Sequence, residues 1–302
     1  MILLSGGTGT PKLIQGLMQI LSPEDITVIV NTADDTWVSG NLISPDVDTV
    51  LYTLAGIIDD SRWWGIRNDT FRTHEQLRLL GHDEGMMIGD LDRATHIQRG
   101  ELIRGGMNLT EATSVIGKRL GVRSKVLPMS NDPVSTIIET PDGEMGFQRF
   151  WVGMRGEPEV LGIRFEGIEA AKPTPEVIDA LTSGDVVVIG PSNPITSIGP
   201  ILALDGIRDC LRDANVLAIS PIIGDEPVSG PAGKFMRALG YEVSSRGVLE
   251  LYADFVDLFI YDVRDRSELE GGRCRVIRTD TLMTDPGKAK ALAEFIREVS
   301  CN

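Results

Sequence analysis

No run in this 302-residue chain comes near the ~20 consecutive apolar residues that a membrane-crossing helix needs. The opening "MILLSGG" lacks the charged start and apolar middle of a secretory signal. The expectation is a cytoplasmic protein with no membrane partner. Cysteine is scarce: Cys210, Cys274 and Cys301 are an odd number at no metal-like spacing, which points to reduced thiols, buried or incidental. Histidine is limited to three residues, and no Ser-His-Asp or Cys-His order stands out. Positive charge is outnumbered, with 29 Lys and Arg against 44 Asp and Glu. The formal net charge of −15 argues against a nucleic-acid partner, because phosphate backbones repel so acidic a surface. A small anionic ligand stays open, provided that backbone N–H groups, a few cations or a divalent metal receive it locally.

Two familiar phosphate signatures are also missing. In "MILLSGGTGTPKL", Lys12 follows Pro11 and precedes Leu13, so no Walker loop is formed. Lys12 also occupies the place of the third glycine of a dinucleotide fingerprint. What is present is a glycine loop of another kind. Gly6, Gly7 and Gly9 let the backbone approach an anion and adopt positive φ. Thr10 can cap the next helix and Pro11 suits its first turn. The N-terminus of that helix, aided by Lys12, offers partial positive charge to a phosphorylated ligand. A tight strand–helix turn with no ligand is the alternative.

Five short apolar runs share this design: Ile2–Leu4, Ile26–Val30, Val186–Ile189, Val216–Ile219 and Leu258–Tyr261, each ending in breakers or polar residues. Such runs suit strands buried on both faces of a parallel sheet. Their polar followers gather at the carboxyl edge, where open α/β sheets bind ligands. The fold expected is α/β, a Rossmann-like, doubly wound, mostly parallel sheet.

Helical patterns follow at Val47–Ile58, roughly His74–Leu80, Asp92–Arg104 and Glu111–Leu120, the last bracketed by Thr110 as N-cap and Gly121 beyond its end. "VSTIIET", the turn Pro141-Asp142-Gly143 and "EMGFQRFWVG" read as a β-hairpin. Residues 1–302 are read as one α/β domain, with a helical and β-hairpin insertion over roughly 41–165 covering the carboxyl edge of the sheet.

Several loop residues carry two readings each. Ser192, Asn193 and Ser197 in "GPSNPITSIGPIL" offer short polar groups on a proline-stiffened loop, for a ligand or for ordinary capping. Asp46 and Asp48 begin a helix, where they complement its dipole, hold Mg²⁺ or bind a ligand hydroxyl. Asp90, Asp92 and Arg93 in "GDLDR" are either an N-cap with a solvated face or part of a site. His96, one turn after Asp92, orients it or forms a surface pair; His74 and His82 read as structural or exposed. Trp63-Trp64 favours core packing over an aromatic ligand wall.

The stretches "LSGGTGTPKL", "VNTADDTW", "SPDVDTVLYTLAG", "GDLDRATH", "VLPMSNDPVSTII", "GFQRFWV", "GPSNPITSIGPIL" and "SPIIGDEPVSGPAGKFM" occur in one order along the chain. In that order they resemble the CofD-type 2-phospho-L-lactate transferases of archaeal, methanogen deazaflavin coenzyme synthesis. Thr10, where many of that family carry Gly, and Asp225-Glu226-Pro227 depart from the pattern. The resemblance implies a phospholactyl transfer from lactyl-2-diphospho-5′-guanosine to the deazaflavin FO, with release of GMP and formation of coenzyme F420-0. It implies Mg²⁺ and a homodimer. It assigns Gly6, Gly7, Thr8, Gly9, Lys12, Ser192, Asn193 and Ser197 to the nucleotide and diphosphate. It assigns Asp48, Arg93 and Asp90 to the deazaflavin, and Asp48 with Asp46 to catalysis, Asp48 being a metal ligand, a base or a hydroxyl contact. A regulatory nucleotide- or UDP-sugar-binding protein without turnover is the competing reading. An NAD-dependent oxidoreductase is weakened by the absent third glycine and ribose-binding acid.

Overall fold

The computed structural model describes residues 1–266, 268–270 and 272–300, so Cys301 lies outside the described residues. Seven strands form one parallel sheet. Their spatial order is Arg275–Thr279, Leu258–Asp262, Val216–Ile219, Val187–Ile189, Ile2–Ser5, Thr27–Val30 and Lys125–Pro128. Five are the apolar runs anticipated from the sequence, with ends that differ by at most one residue.

The side-chain period of two explains why the sheet is covered on both faces. Leu3, Val28 and Val188 point into a core with Leu13 and Ile14 of the first helix, Gly9–Leu17. Ile2, Leu4, Ile29 and Ile189 point into the opposite core with Ile198, Ile201 and Phe235. The chain is doubly wound, as the sequence implied. It leaves Ile2–Ser5 toward Thr27–Val30 and Lys125–Pro128, then returns to the other side of Ile2–Ser5 with Val187–Ile189. The crevice between Ile2–Ser5 and Val187–Ile189 is therefore the point where the winding reverses, and the loops after both strands open onto it.

The segment 41–165 does not lie wholly outside this sheet. Lys125–Pro128 pairs with Thr27–Val30, so the additions form two excursions, one before that strand and one after it. The first holds helices Pro45–Leu54, Arg72–Leu79, Asp90–Arg104 and Leu109–Arg119. Asn108, not Thr110, caps the last of these: its side chain accepts from the Glu111 amide at 2.8 Å while the Glu111 carboxylate accepts from the Asn108 amide at 2.9 Å. Asn108 is polar and lies three residues before Glu111, which forms the reciprocal cap that Thr110 cannot. Gly121 follows the helix with φ +77°, as its position suggested. The second excursion contains the expected hairpin, Ser135–Thr140 with Gly143–Gly146, but the predicted second strand stops at Gly146. Arg149–Gly153 turns into a short π-helix, and Gly162–Glu166 pairs with the other side of Ser135–Thr140. Among the described residues, no helix is long and apolar enough to cross a membrane. Cys210 and Cys274 are free thiols, Cys274 buried.

Candidate active site

Loops from the carboxyl edge enclose a cavity of about 650 Å³, within the size range of small-molecule sites. Gly7, Thr8, Gly9 and Lys12 stand on one side of the crevice, and Ser192, Asn193 and Ser197 on the other. The glycines are needed for closeness, not for positive φ: none of Gly6, Gly7 and Gly9 is left-handed. A Cβ on Gly9 would fall on the Pro191 carbonyl, one on Gly7 on an Asp46 carboxylate oxygen, and one on Gly6 against Ser197.

The two loops are tied by Ser192. Its buried hydroxyl accepts from the Gly6 amide at 3.1 Å and the Thr10 amide at 3.3 Å, and lies 2.7 Å from the Thr10 hydroxyl. Thr10 is thus not the helix cap. It sits inside the first turn, buried, with its hydroxyl turned to Ser192, and Thr8 is the N-cap without a side-chain bond. The Asn193 side chain accepts from the amides of Ile195 and Thr196 at 3.0 and 3.3 Å, shaping its own loop. Asn193 thus shapes its own loop while Ser192 ties that loop to the glycine loop, and both border the cavity. Among the described residues, the amides of Gly7 and Thr8 have no hydrogen-bond acceptor, and both residues line the cavity, which leaves them free for an anion. Lys12 places its ammonium 5.2 Å from the Trp63 ring centre, and burial lowers its pKa.

Carboxylates face these donors. Asn31, fully buried, donates from Nδ2 to Asp34 at 3.2 Å and to Asp46 at 3.0 Å, so one amide holds two acids side by side. Burial pushes Asp34 well above the usual carboxylate range, and the charge of Asp46 adds to this. Burial raises Asp46 to about 6, against the opposing hydrogen bond from Asn31. Asp34 Oδ1 is buried with no hydrogen-bond partner among the described residues. Two crowded acids that resist ionisation, one with an unpartnered oxygen, fit a hard divalent cation such as Mg²⁺.

Asp48 has a different environment. Burial alone would raise its pKa, but the Arg99 guanidinium, with hydrogen bonds from His96 and Arg99, holds it at about 2. Arg99 is fully buried and grips both Asp48 oxygens, Nη1 reaching Oδ2 at 3.0 Å and Nη2 bonding Oδ1. His96 Nε2 lies 3.3 Å from Asp48 and 3.2 Å from Asp92, whose Oδ1 also accepts from the Tyr52 hydroxyl at 2.8 Å. Asp48, Asp92 and His96 are close enough to share a metal. Their donor atoms are nevertheless already engaged by Arg99, Tyr52 and each other, so this set fits a cation poorly. His96 is no surface pair; it is buried between two acids.

His96 also gives a pH signature. Burial lowers its pKa, but the hydrogen bonds and charges of Asp48 and Asp92 outweigh that and raise it to about 9 from 6.5. A group raised on folding stabilises fully below its unfolded pKa and loses that contribution as pH climbs through the folded value. Stability should therefore decline by roughly 3 kcal/mol between about pH 6.5 and pH 9. Urea melts across this window should show the slope in the native protein and a flatter one in His96→Gln; equal slopes would refute the assignment.

Asp90 and Arg93 do not reach the cavity wall. Asp90 accepts from the Arg72 and Thr73 amides at 3.1 and 3.0 Å, capping the Arg72–Leu79 helix, and these bonds with that of Thr70 lower its pKa. Arg93 forms a two-pronged ion pair with Glu84 at 2.8 and 2.7 Å. His74 is buried 3.4 Å from Glu84, and His82 is exposed beside Ser39. Trp63-Trp64, expected in the core, lines the cavity instead: Trp63 is half-buried at φ +59° and Trp64 is exposed. Trp151 joins them at the wall, while Phe150 is buried in the core. Arg99 and Asp34 carried no assignment in the sequence. The spacing Asp92, His96, Arg99, which sets three polar groups on one helix face, was the available signal for Arg99, and the polar loop after Thr27–Val30 was the one for Asp34.

A family model described as "2-phospho-L-lactate transferase CofD" matches residues 1–291. A relative named 2-phospho-L-lactate transferase from Methanosarcina acetivorans is 57% identical, covering 98% of this chain and 97% of its own. One of the same name from Methanopyrus kandleri is 51% identical over 98% and 96%. The chain is also similar to a crystal structure of a UPF0052-family protein from Bacillus halodurans, with a TM-score of 0.67 at 21% identity over 98% and 97% of the two chains, a likeness of fold.

Proposed function

This chain belongs to the CofD family of 2-phospho-L-lactate transferases and is an enzyme of that class, and from that premise we propose that it carries a phospholactyl group from lactyl-2-diphospho-5′-guanosine to the deazaflavin FO in the cytoplasm. The terminal ribitol oxygen of FO forms a new bond to the phosphorus bearing lactate. The bridging P–O bond breaks, GMP leaves with the bridging oxygen, and the hydroxyl proton is lost to solvent. The product is the phosphodiester F420-0.

The observation that supports this most is the charge inventory of the cavity. Unengaged amides of Gly7 and Thr8, the Lys12 ammonium, Arg62 and His96 meet a wall that includes Asp34, Asp46, Asp48 and Asp92, and of these acids Asp34 and Asp46 have no cation beside them among the described residues. A diphosphate entering such a wall is repelled unless a divalent cation stands between. Asp34 and Asp46 would hold Mg²⁺, which supplies charge neutralisation for the diphosphate and its leaving group. Gly7, Thr8, Gly9 and Lys12 orient the phosphates at the helix N-terminus. Ser192 and Asn193 contribute by fixing the two loops.

Asp48 takes the role of hydroxyl contact. Held ionised at about 2, it is a weak base but a permanent acceptor, and one lone pair remains after Arg99 and His96 are served. A loose phosphoryl-transfer transition state asks for an oriented hydroxyl more than for a strong base. Trp63 and Trp64 provide a flat wall for the tricyclic ring.

The test combines purified protein, FO, the guanosine donor and Mg²⁺, read by mass spectrometry. GMP and phosphodiester should appear in equal amounts. Saturable binding of both substrates with no product would replace this reading with a regulatory binding protein.

A further inference from the structure

We propose that Arg99, assisted by His96, is a positioning residue that fixes the Asp48 carboxylate in one orientation toward the acceptor hydroxyl, a proposal that rests on the role given to Asp48 above. Arg99 lies seven residues beyond Asp92 on the Asp90–Arg104 helix, and Asp48 lies in the first turn of Pro45–Leu54. The pair is one of several polar contacts between those helices. Arg99 Nη1 donates to Asp48 Oδ2 at 3.0 Å and to the Leu42 carbonyl at 3.2 Å, and Nη2 bonds Asp48 Oδ1. The fork fixes the carboxylate plane, since a planar guanidinium bonds both oxygens at once. His96 Nε2 lies 3.3 Å from the same oxygen, Oδ2, and 3.2 Å from Asp92, which Tyr52 holds, so one ring nitrogen bridges the two acids.

Stability alone is a poor explanation of this cluster. Buried ion pairs recover their desolvation cost incompletely, and well-packed apolar replacements are often as stable. Here Arg99 is 0% exposed and its Nε has no partner among the described residues, so the arrangement carries an additional uncompensated cost. It stands where Asp48, Tyr52, Asp92 and His96 all border the cavity. A rigid acid at a reaction site repays what a rigid acid in a core does not.

A double-mutant cycle tests the proposal. Asp48→Asn, Arg99→Met and the pair are compared for kcat, for KM of FO, for guanine-nucleotide affinity and for melting temperature. Asp48→Asn and Arg99→Met should each lower kcat about 100-fold, and the double variant should be no worse than either single one within about threefold, because a misplaced carboxylate and an absent one fail alike. Nucleotide affinity should stay within about twofold, which a general loss of structure would not allow. His96→Gln should lose about 3–10-fold in kcat, since it keeps a hydrogen bond and loses the charge. If Arg99→Met fails to fold, Arg99→Lys takes its place in the cycle. It should recover part of kcat but not all, because a single ammonium cannot reproduce the fork. Multiplicative losses in the double variant, or nucleotide affinity falling in step with kcat, would overturn the positioning role while leaving Asp48 in place. Full turnover in Asp48→Asn would overturn the role of Asp48 itself and this proposal with it.

Discussion

Asp34→Asn should cut Mg²⁺-dependent turnover on the order of 100- to 1,000-fold and yet raise the melting temperature of the metal-free protein by a few degrees, roughly. The opposite signs have one cause. Asp34 is buried beside Asp46, and both the burial and the neighbouring charge oppose its ionisation. An amide of nearly the same shape removes that repulsion, so the empty site gains stability. It also removes an anionic oxygen from the pair proposed to hold the cation, and metal affinity depends on ligand charge. Calorimetry in chelator and turnover across a Mg²⁺ series measure the two effects. A lower melting temperature without metal, or a turnover loss that leaves the Mg²⁺ dependence untouched, would remove Asp34 from the metal site.

Among the described glycines, Gly9→Ala should be the most damaging substitution. Its added carbon would coincide with the Pro191 carbonyl, in a loop stiffened by Pro191 and Pro194. Helix and loop must separate, drawing Ser192 away from Gly6 and Thr10. Overpacking of this kind costs about 3 kcal/mol, which for a chain of this length is a fall of roughly 5 °C in melting temperature. Nucleotide binding should weaken about 100-fold, because the same displacement spreads the amides that receive the phosphates. Gly146→Ala is the control: it has no left-handed φ and nothing within 4 Å of the added carbon. Thermal melts and titration calorimetry of the two variants decide the matter, and indistinguishable behaviour would mean that the crevice is looser than described.

The strands that the sequence revealed and those it concealed differ by position in the sheet. The five apolar runs are interior strands, covered on both faces, so burial writes itself as an unbroken hydrophobic word. Lys125–Pro128 and Arg275–Thr279 are the outermost strands, and their partial exposure admits Lys, Arg and Thr. Pro128 also sits at an edge, where a missing N–H is tolerated. The glycine loop was legible because its need is local. The pairing of Asp48 with Arg99 was not, since it joins residues 51 apart and depends on how two helices pack. Trp63-Trp64 misled for a related reason: large aromatics usually fill cores, and only the path of the chain puts these at a cavity wall. Asp90 and Arg93 misled in the other direction, for the partners that engage them, the Arg72–Leu79 helix and Glu84, come from a neighbouring stretch of loop and helix.

Of the four tryptophans in the chain, Trp63, Trp64 and Trp151 border the cavity, leaving only Trp37 elsewhere. Most of the intrinsic ultraviolet emission of the molecule therefore originates where a guest would rest. The protein carries its own optical gauge of occupancy, and ligand titrations need no attached dye.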